Sequence, residues 1–392
     1  MQIGKLLGGL TAAEFLDRYW QKRPLLIRNA IPGFELGLDA DELAGLACTY
    51  DAESRLILEK PGGRSWEVRH GPFEPEIFRD LPDSHWTLLV QDVEKHVPRL
   101  AALLGRFRFV PDWRVDDLMV SYAAAEGSVG PHVDQYDVFL LQASGRRRWR
   151  VQSEPPAEER LVPGLELRIL ENFDPDEEWL LGPGDMLYLP PGIPHHGVAA
   201  ESCLTCSIGF RSPGYREMLS GYLDHVIRRT DALLHYADPD LRPQGNPGEI
   251  TPNSLERVRN ILRDHLSRAD ESLDRWFGAF ITEPKERFQD RTREASLTLA
   301  ELRAALEGGQ TLLRDPASRL AYIRLGEDSG YLYANGTEYP VEATAAALAE
   351  TITAKWVIAR EGLDRGRLDE AAWRLLTRLV NEGHLYLEHN DA

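Results

Sequence analysis

Residues 130–151 read GPHVDQYDVFLLQASGRRRWRV. Gly130-Pro131 and Ser144-Gly145 are turn signals, and the runs around them alternate as strands do. Side chains two apart share one face of a strand. Arg146, Arg148 and Arg150 therefore face solvent together, while Arg147 falls in phase with Trp149 and Val151 and should point inward. A guanidinium cannot shed its charge, so an inward arginine demands an anion. Earlier in the stretch, His132 and Asp134 are also two apart. At a strand edge an imidazole and a carboxylate at that spacing can meet one metal ion.

The neighbouring sequence supplies a third ligand. Residues 181–197, LGPGDMLYLPPGIPHHG, read as a turn at Pro183-Gly184-Asp185, a strand MLYLP, and a loop PPGIPH whose prolines and glycine fix the backbone before any metal arrives. Adjacent side chains on extended chain point to opposite sides, so only one of His195 and His196 can coordinate. The choice is His195, with His196 a surface or hydrogen-bonded histidine. Two histidines and one carboxylate with open positions are the facial triad of non-haem Fe(II) oxygenases. The anion facing Arg147 is then the distal carboxylate of 2-oxoglutarate, with a protein carboxylate such as Asp137 or Glu154 as the alternative.

Around this core, the chain from Trp113 to Arg211 is a series of short strands broken by Gly and Pro (VDDLMVSYAA, DQYDVFLLQA, RRRWRV, DMLYLP, CLTCSIGF), the pattern of a β-sandwich or barrel. Thr11 and Glu14 have capping-box spacing before an amphipathic helix, and LLIR (25–28) reads as a strand. After Ser212-Pro213-Gly214 the pattern turns helical. Tyr215, Met218, Leu219, Tyr222, Leu223, Val226 and Ile227 form an apolar stripe, Leu255, Val258, Ile261, Leu262 and Leu266 form another, and Leu273, Trp276, Phe277 and Phe280 follow. These helices are too few for a core of their own and must pack on something, either the barrel or the same helices of a second subunit. From about Leu297, helices, a hairpin at Asn335-Gly336 and a last strand (HLYLEH) resemble a winged helix.

At 392 residues two or three domains are expected. With 43% hydrophobic and 28% charged residues the composition is globular, without a membrane-length apolar run. MQIGKLLGGLTAAEF lacks the features of a signal peptide, and three cysteines build no disulfide framework, so a cytoplasmic location is expected. Cys203 and Cys206 lie in a strand-like run and read as structural. The net charge of −18 disfavours nucleic acid and suits a basic protein partner.

Several of these strings resemble a known family. FLDRYWQKRPLLIR, DWRVDDLMVSY, PHVDQYDVFLLQASGRRRW, PGDMLYLPPGIPH and SIGFRSPGYREMLSGY are similar to the ribosomal oxygenases of the JmjC subgroup, and most closely to the bacterial arginine hydroxylases of large-subunit ribosomal proteins. The resemblance implies a mainly β double-stranded β-helix (cupin/JmjC) catalytic domain over 1–212, a helical dimerisation region over 213–290, and a winged-helix-like α+β domain over 291–392. It implies Fe(II) on His132, Asp134 and His195, 2-oxoglutarate on Arg147, O2 as oxidant, and hydroxylation of a ribosomal-protein arginine at its β-carbon. Relatives that hydroxylate histidine use lysine for the cosubstrate carboxylate, so Arg147 falls with the bacterial branch. Ala123 and His196 depart from the family pattern. No side chain need act as a general base. Tyr136 is a candidate pocket wall, and Asp116, Asp117 or Asp137 are candidate carboxylates for a substrate guanidinium.

Two rival readings remain at this stage. A cupin metalloenzyme that does not use 2-oxoglutarate would share the ligands but leave Arg147 without its anion. A transcriptional regulator with a cupin sensor and a DNA-reading winged helix would need a basic face. Residues 291–392 carry 12 Arg and Lys against 16 Asp and Glu, which argues against DNA binding.

Overall fold

The structure, a computed structural model, describes residues 3–59, 66–267, 270–288, 296–358 and 368–388. The chain divides into two compact units, Met1–Ser212 and Pro213–Ala392.

Twelve strands build the first unit: β1 (Leu25–Ile27), β2 (Ser54–Glu59), β3 (Trp66–His70), β4 (Trp86–Val90), β5 (Val115–Ala123), β6 (His132–Val133), β7 (Val138–Ser144), β8 (Arg147–Val151), β9 (Glu177–Leu181), β10 (Met186–Leu189), β11 (Pro194–Ala199) and β12 (Cys203–Phe210). They form an eight-stranded sheet in the order β1-β10-β7-β12-β5-β4-β2-β3 and a four-stranded sheet in the order β6-β11-β8-β9. Period-two alternation gives the large sheet two apolar faces. Val138 and Leu140 of β7 and Leu187 and Leu189 of β10 meet Trp149, Val151 and Leu181 of the small sheet, which makes the space between the sheets an apolar core. The intervening residues Phe139, Leu141, Met186 and Tyr188 pack on the other side with Leu118, Val120, Cys206, Ile208 and Phe210. Phe15, from the helix Ala12–Arg18 capped by the Thr11–Glu14 box, covers that side. Two facing antiparallel sheets of this order form the double-stranded β-helix of the cupin and JmjC folds.

The sequence reading differs from this in three places. Asp134–Asp137 is a bend, not the start of a strand, because β6 ends at Val133 and β7 begins at Val138. His195 lies on a strand, β11, and not in the preceding loop. Strands β2, β3, β4, β9 and β11 lengthen both sheets beyond the series of strands read from the sequence.

The second unit begins with the helix Tyr215–Arg229, followed by helices Pro252–Ser267 and Asp270–Thr282. It then has a three-stranded sheet, β14 (Leu320–Arg324), β15 (Ser329–Ala334) and β16 (Thr337–Glu342), and a second one of β17 (Val357–Ile358), β13 (Leu312–Arg314) and β18 (Leu385–Leu387). Asn335 and Gly336 both have positive φ, as the tight turn between β15 and β16 requires. Helices Leu299–Glu307, Ala343–Ala354 and Glu370–Asn381 share one apolar core with these strands. Helix Asp270–Thr282 packs on the β14–β16 sheet, with Arg275 bonded to both carboxylate oxygens of Glu338 at 2.9 and 2.6 Å. The boundary expected between residues 290 and 291 lies outside the described residues, as does His389 at the end of HLYLEH.

Candidate metal centre and cosubstrate pocket

The small sheet places the ligands. His132 of β6 pairs directly opposite His195 of β11, and Asp134 follows one residue beyond β6. Their donor atoms lie within 4.8 Å of one another, the one such cluster among the described residues. His195 Nε2 is 3.6 Å and His132 Nε2 is 3.9 Å from Asp134 Oδ2, too far for hydrogen bonds and suited to sharing an ion. Each imidazole is aimed by its other nitrogen. His132 Nδ1–H donates to the Gly130 carbonyl at 3.0 Å, and His195 Nδ1–H donates to the Ile193 carbonyl at 2.9 Å. Those bonds fix the tautomer and leave both Nε2 lone pairs free for a metal. Burial, with His132 alongside, pulls the pKa of His195 down to about 4, so it stays neutral and able to ligate. The Asp134 carbonyl accepts from the Gly192 amide at 2.8 Å, which ties the ligand bend to the Pro190–Gly192 loop.

His196 points the other way, as the alternation of a strand requires. It bonds Ser128 Oγ at 2.8 Å, and the Gly130 amide donates to the same oxygen at 2.9 Å. Its role is to brace the turn that precedes His132.

Behind the ligands lies Arg147, 3% exposed and inward-facing as its phase requires, while Arg148 and Arg150 reach Glu178 on the outside. Neither Asp137 nor Glu154 is its partner. Asp137 is buried and accepts from the Tyr188 hydroxyl at 2.6 Å and from Gln21 at 2.9 Å, and Glu154 is exposed. Arg147 has one hydrogen bond, from Nη2 to the Gly197 carbonyl at 3.2 Å, and its Nε has none. Its guanidinium lies 5.1 Å from the centroid of the Trp149 ring. Burial lowers its pKa, and among the described residues no carboxylate opposes this, only the Cys203 thiol. A buried cation in this condition costs several kcal/mol until an anion reaches it. Gly197 makes the room: a Cβ there would stand 2.7 Å from both Arg147 Nε and the Trp149 ring. The sequence points to Arg147 by phase alone; it gives no comparable signal for Gly197.

The inward face of β5, which carries Asp117, comes near the Asp134–Asp137 bend, for the charges of Asp117 and Asp134 both act on Tyr136. Tyr136 is 42% exposed. Burial and the charges of Asp134 and Asp117 raise the phenol's pKa. Asp117 pairs opposite Gly209 of β12 and accepts from the Asp92 amide at 3.3 Å. Asp116 sits at the register irregularity beside it. Behind Asp117 is a buried set that sequence reasoning missed. Lys95 bonds Asp92 and lies 3.7 Å from Glu94, whose carboxylate accepts from the Leu118 amide at 3.0 Å. Nothing in the isolated string QDVEKHV distinguishes these charges from a solvated helix turn.

A double-stranded β-helix with a His-x-Asp…His set and a buried, unpaired arginine behind it is the framework of a metal-dependent oxygenase of the JmjC class. Residues 102–218 match the JmjC domain, and residues 261–386 match the ROXA-like winged helix, which begins within the stretch read above as the dimerisation region. The chain is 37% identical over 379 residues to the ribosomal protein uL16 3-hydroxylase of Escherichia coli K12, covering 96% of this chain and 97% of that protein. It is 32% identical over 338 residues to a probable ribosomal oxygenase of Haemophilus influenzae, covering 83% and 81%. The structure of the E. coli ribosomal oxygenase YcfD with cobalt and 2-oxoglutarate superposes with a TM-score of 0.82 at 35% identity, over 97% of this chain and 99% of that one. The chain belongs to the JmjC-type ribosomal oxygenase family.

Proposed function

We propose that this protein is an Fe(II)- and 2-oxoglutarate-dependent hydroxylase acting on an arginine β-carbon of a large-subunit ribosomal protein, with uL16 the first candidate. The reading rests above all on Arg147, a buried cation without a protein carboxylate behind a facial His-Asp-His set. A cupin that did not use 2-oxoglutarate would bury this charge with no return. The relative with cobalt and 2-oxoglutarate bound supports the same assignment.

His132, Asp134 and His195 would hold the iron and leave its remaining positions open. Bound there with 2-oxoglutarate and O2, the metal supplies the oxidation that replaces a substrate C–H with C–OH and releases succinate and CO2. The protein's own work is placement. Arg147 takes the distal carboxylate of the cosubstrate in a bidentate pair and fixes its keto-acid end towards the ligands. The Leu187, Leu189 and Val151 layer keeps water from the pocket floor. Tyr136 forms a wall, and Asp117, or Asp116 beside it, offers a carboxylate to the arriving guanidinium. No side chain has to move a proton at the reacting carbon.

The helical region 213–290 is read as a homodimerisation surface, and the acidic C-terminal domain as a protein-contact module without DNA binding. A ribosomal-protein substrate places the enzyme in the cytoplasm. Among the described residues no helix is long and apolar enough to cross a membrane.

The test is 2-oxoglutarate turnover with Fe(II), adding purified large-subunit ribosomal proteins singly. The expected result is that one protein stimulates succinate release and gains a single oxygen on an arginine, and that His195→Ala and Arg147→Ala abolish both. Iron binding without any consumption of 2-oxoglutarate would overturn the reading.

A further inference from the structure

Arg55 is a second arginine with a buried nitrogen, its Nε, that finds no hydrogen-bond partner. It lies on β2, where Leu56 belongs to the outer core and Leu58 packs against that core, so alternation turns Arg55 and Ile57 to the opposite, inner face of the large sheet. Across the sheet Arg55 pairs with Leu89 of β4, and Leu89 pairs with Ser121 of β5. Ser121 shares its face with Met119 and Asp117, two and four residues back along the same strand. The row therefore runs from the centre of the proposed substrate pocket outward to Arg55 at its side. The Arg55 Nε is buried without a hydrogen-bond partner, and among the described residues Arg55 makes no ion pair.

We propose that Arg55 anchors an acceptor oxygen of the substrate chain beside the residue to be hydroxylated, either a main-chain carbonyl or a neighbouring side-chain carboxylate. This rests on the reading of the pocket given above. The two ends of the row then divide the work by charge. Asp117 attracts the guanidinium of the target arginine, and Arg55, set off by Leu89 and Ser121, takes the oxygen of the segment that carries it. An arginine fits because its planar fork of donors can hold one oxygen firmly or a carboxylate by two bonds. The pairing also fixes direction, because reversing the segment would bring guanidinium to guanidinium.

The test compares the iron-loaded wild type with Arg55→Met and Arg55→Lys on a peptide, taken from whichever ribosomal protein the wild type hydroxylates, and on the same peptide with its acidic residues changed to alanine. Methionine keeps most of the side-chain volume, and melting curves establish that each variant is folded. The expected result for Arg55→Met is a KM for peptide raised at least tenfold, with kcat at saturating peptide and the KM for 2-oxoglutarate unchanged, and a partial recovery in Arg55→Lys. If the alanine peptide shows the same rise, the acceptor is a main-chain carbonyl; if the variant and the wild type no longer differ on it, the acceptor is a carboxylate. An unchanged KM for both peptides, or a loss confined to kcat or to 2-oxoglutarate affinity, removes the anchor and leaves the hydroxylase reading intact. If the wild type hydroxylates no ribosomal protein, both fall together.

Discussion

Arg147 has a cost that can be measured without any turnover. Replacing a buried charge that lacks a partner by an apolar side chain of similar volume is neutral or stabilising. Arg147→Met should therefore melt at or above the wild-type temperature when 2-oxoglutarate is absent. With metal present, saturating 2-oxoglutarate should raise the melting temperature of the wild type and not of the variant, because only a ligand that binds the native state stabilises it. Two charge-assisted hydrogen bonds of ~1.5–3 kcal/mol each put the expected loss of 2-oxoglutarate affinity at about 100-fold or more. A variant that melts well below the wild type would mean that Arg147 holds the fold together. Glu94 makes a different prediction. Burial raises its pKa from 4.5 to about 8, with Asp117 and Asp92 adding to the rise and Lys95 opposing it. The folded state thus binds this proton more tightly than the unfolded one. The group's contribution to stability is complete below pH 4.5 and is lost as the pH rises towards 8. Glu94→Gln keeps an acceptor for the Leu118 amide and removes the titration. Its stability measured by denaturant unfolding should fall less steeply than that of the wild type between these two pH values.

At the scale of the strands, β8 and β11 form one working unit. Their register sets Gly197 opposite Trp149 and Ala199 opposite Arg147, so the strand that carries His195 also roofs Arg147. Gly197→Ala would push a methyl group into both Arg147 and Trp149 while leaving His195 two residues away. Metal affinity, followed by Co(II) absorption, should stay near wild type while the KM for 2-oxoglutarate rises about tenfold or more, in line with the usual 1–3 kcal/mol cost of overpacking. Loss of both together would show that the strand has moved as a whole. The same pair of strands shows what the sequence could convey. RRRWRV announces its phase because charge and apolar character alternate, and the structure keeps that phase. β11 does not announce itself, because PHHGVA lacks a clean alternation and the prolines and glycine that lead into His195 read as loop. Tyr136, two residues beyond Asp134, lies in a bend, where the parity of a strand does not set the side it faces. Sequence periodicity is informative where a strand has one wet face, as β8 has. It is silent for β7 and β12, nearly every residue of which is buried, and for short strands whose pairing is decided by partners distant in sequence.

Across the whole molecule, the least balanced surface is the helical start of the second unit. Tyr215, Leu219, Leu223 and Ile227 recur every four residues along one face of Tyr215–Arg229, and Tyr215 is 83% and Ile227 67% exposed. Helix Pro252–Ser267 exposes Leu255, Val258, Ile261, Leu262 and Leu266 as well. Monomeric proteins rarely leave apolar stripes of this extent in water. A two-fold dimer is the simplest way to cover one, since the same patch on each subunit then serves as its own partner. The charge of the chain sharpens the argument. At −18 per subunit, association works against mutual repulsion, so the apolar contact must carry it, and added salt should tighten it by screening. Leu219→Glu combined with Ile227→Glu places four new carboxylates in a two-fold interface. In sedimentation at micromolar concentration the wild type should run as a dimer, more completely as salt is raised, and the double variant as a monomer at every salt concentration. Metal binding by the His132, Asp134 and His195 set, which lies in the other unit, should be unaffected in the variant. A wild type that sediments as a monomer throughout would mean that something other than a second copy of the chain covers these helices.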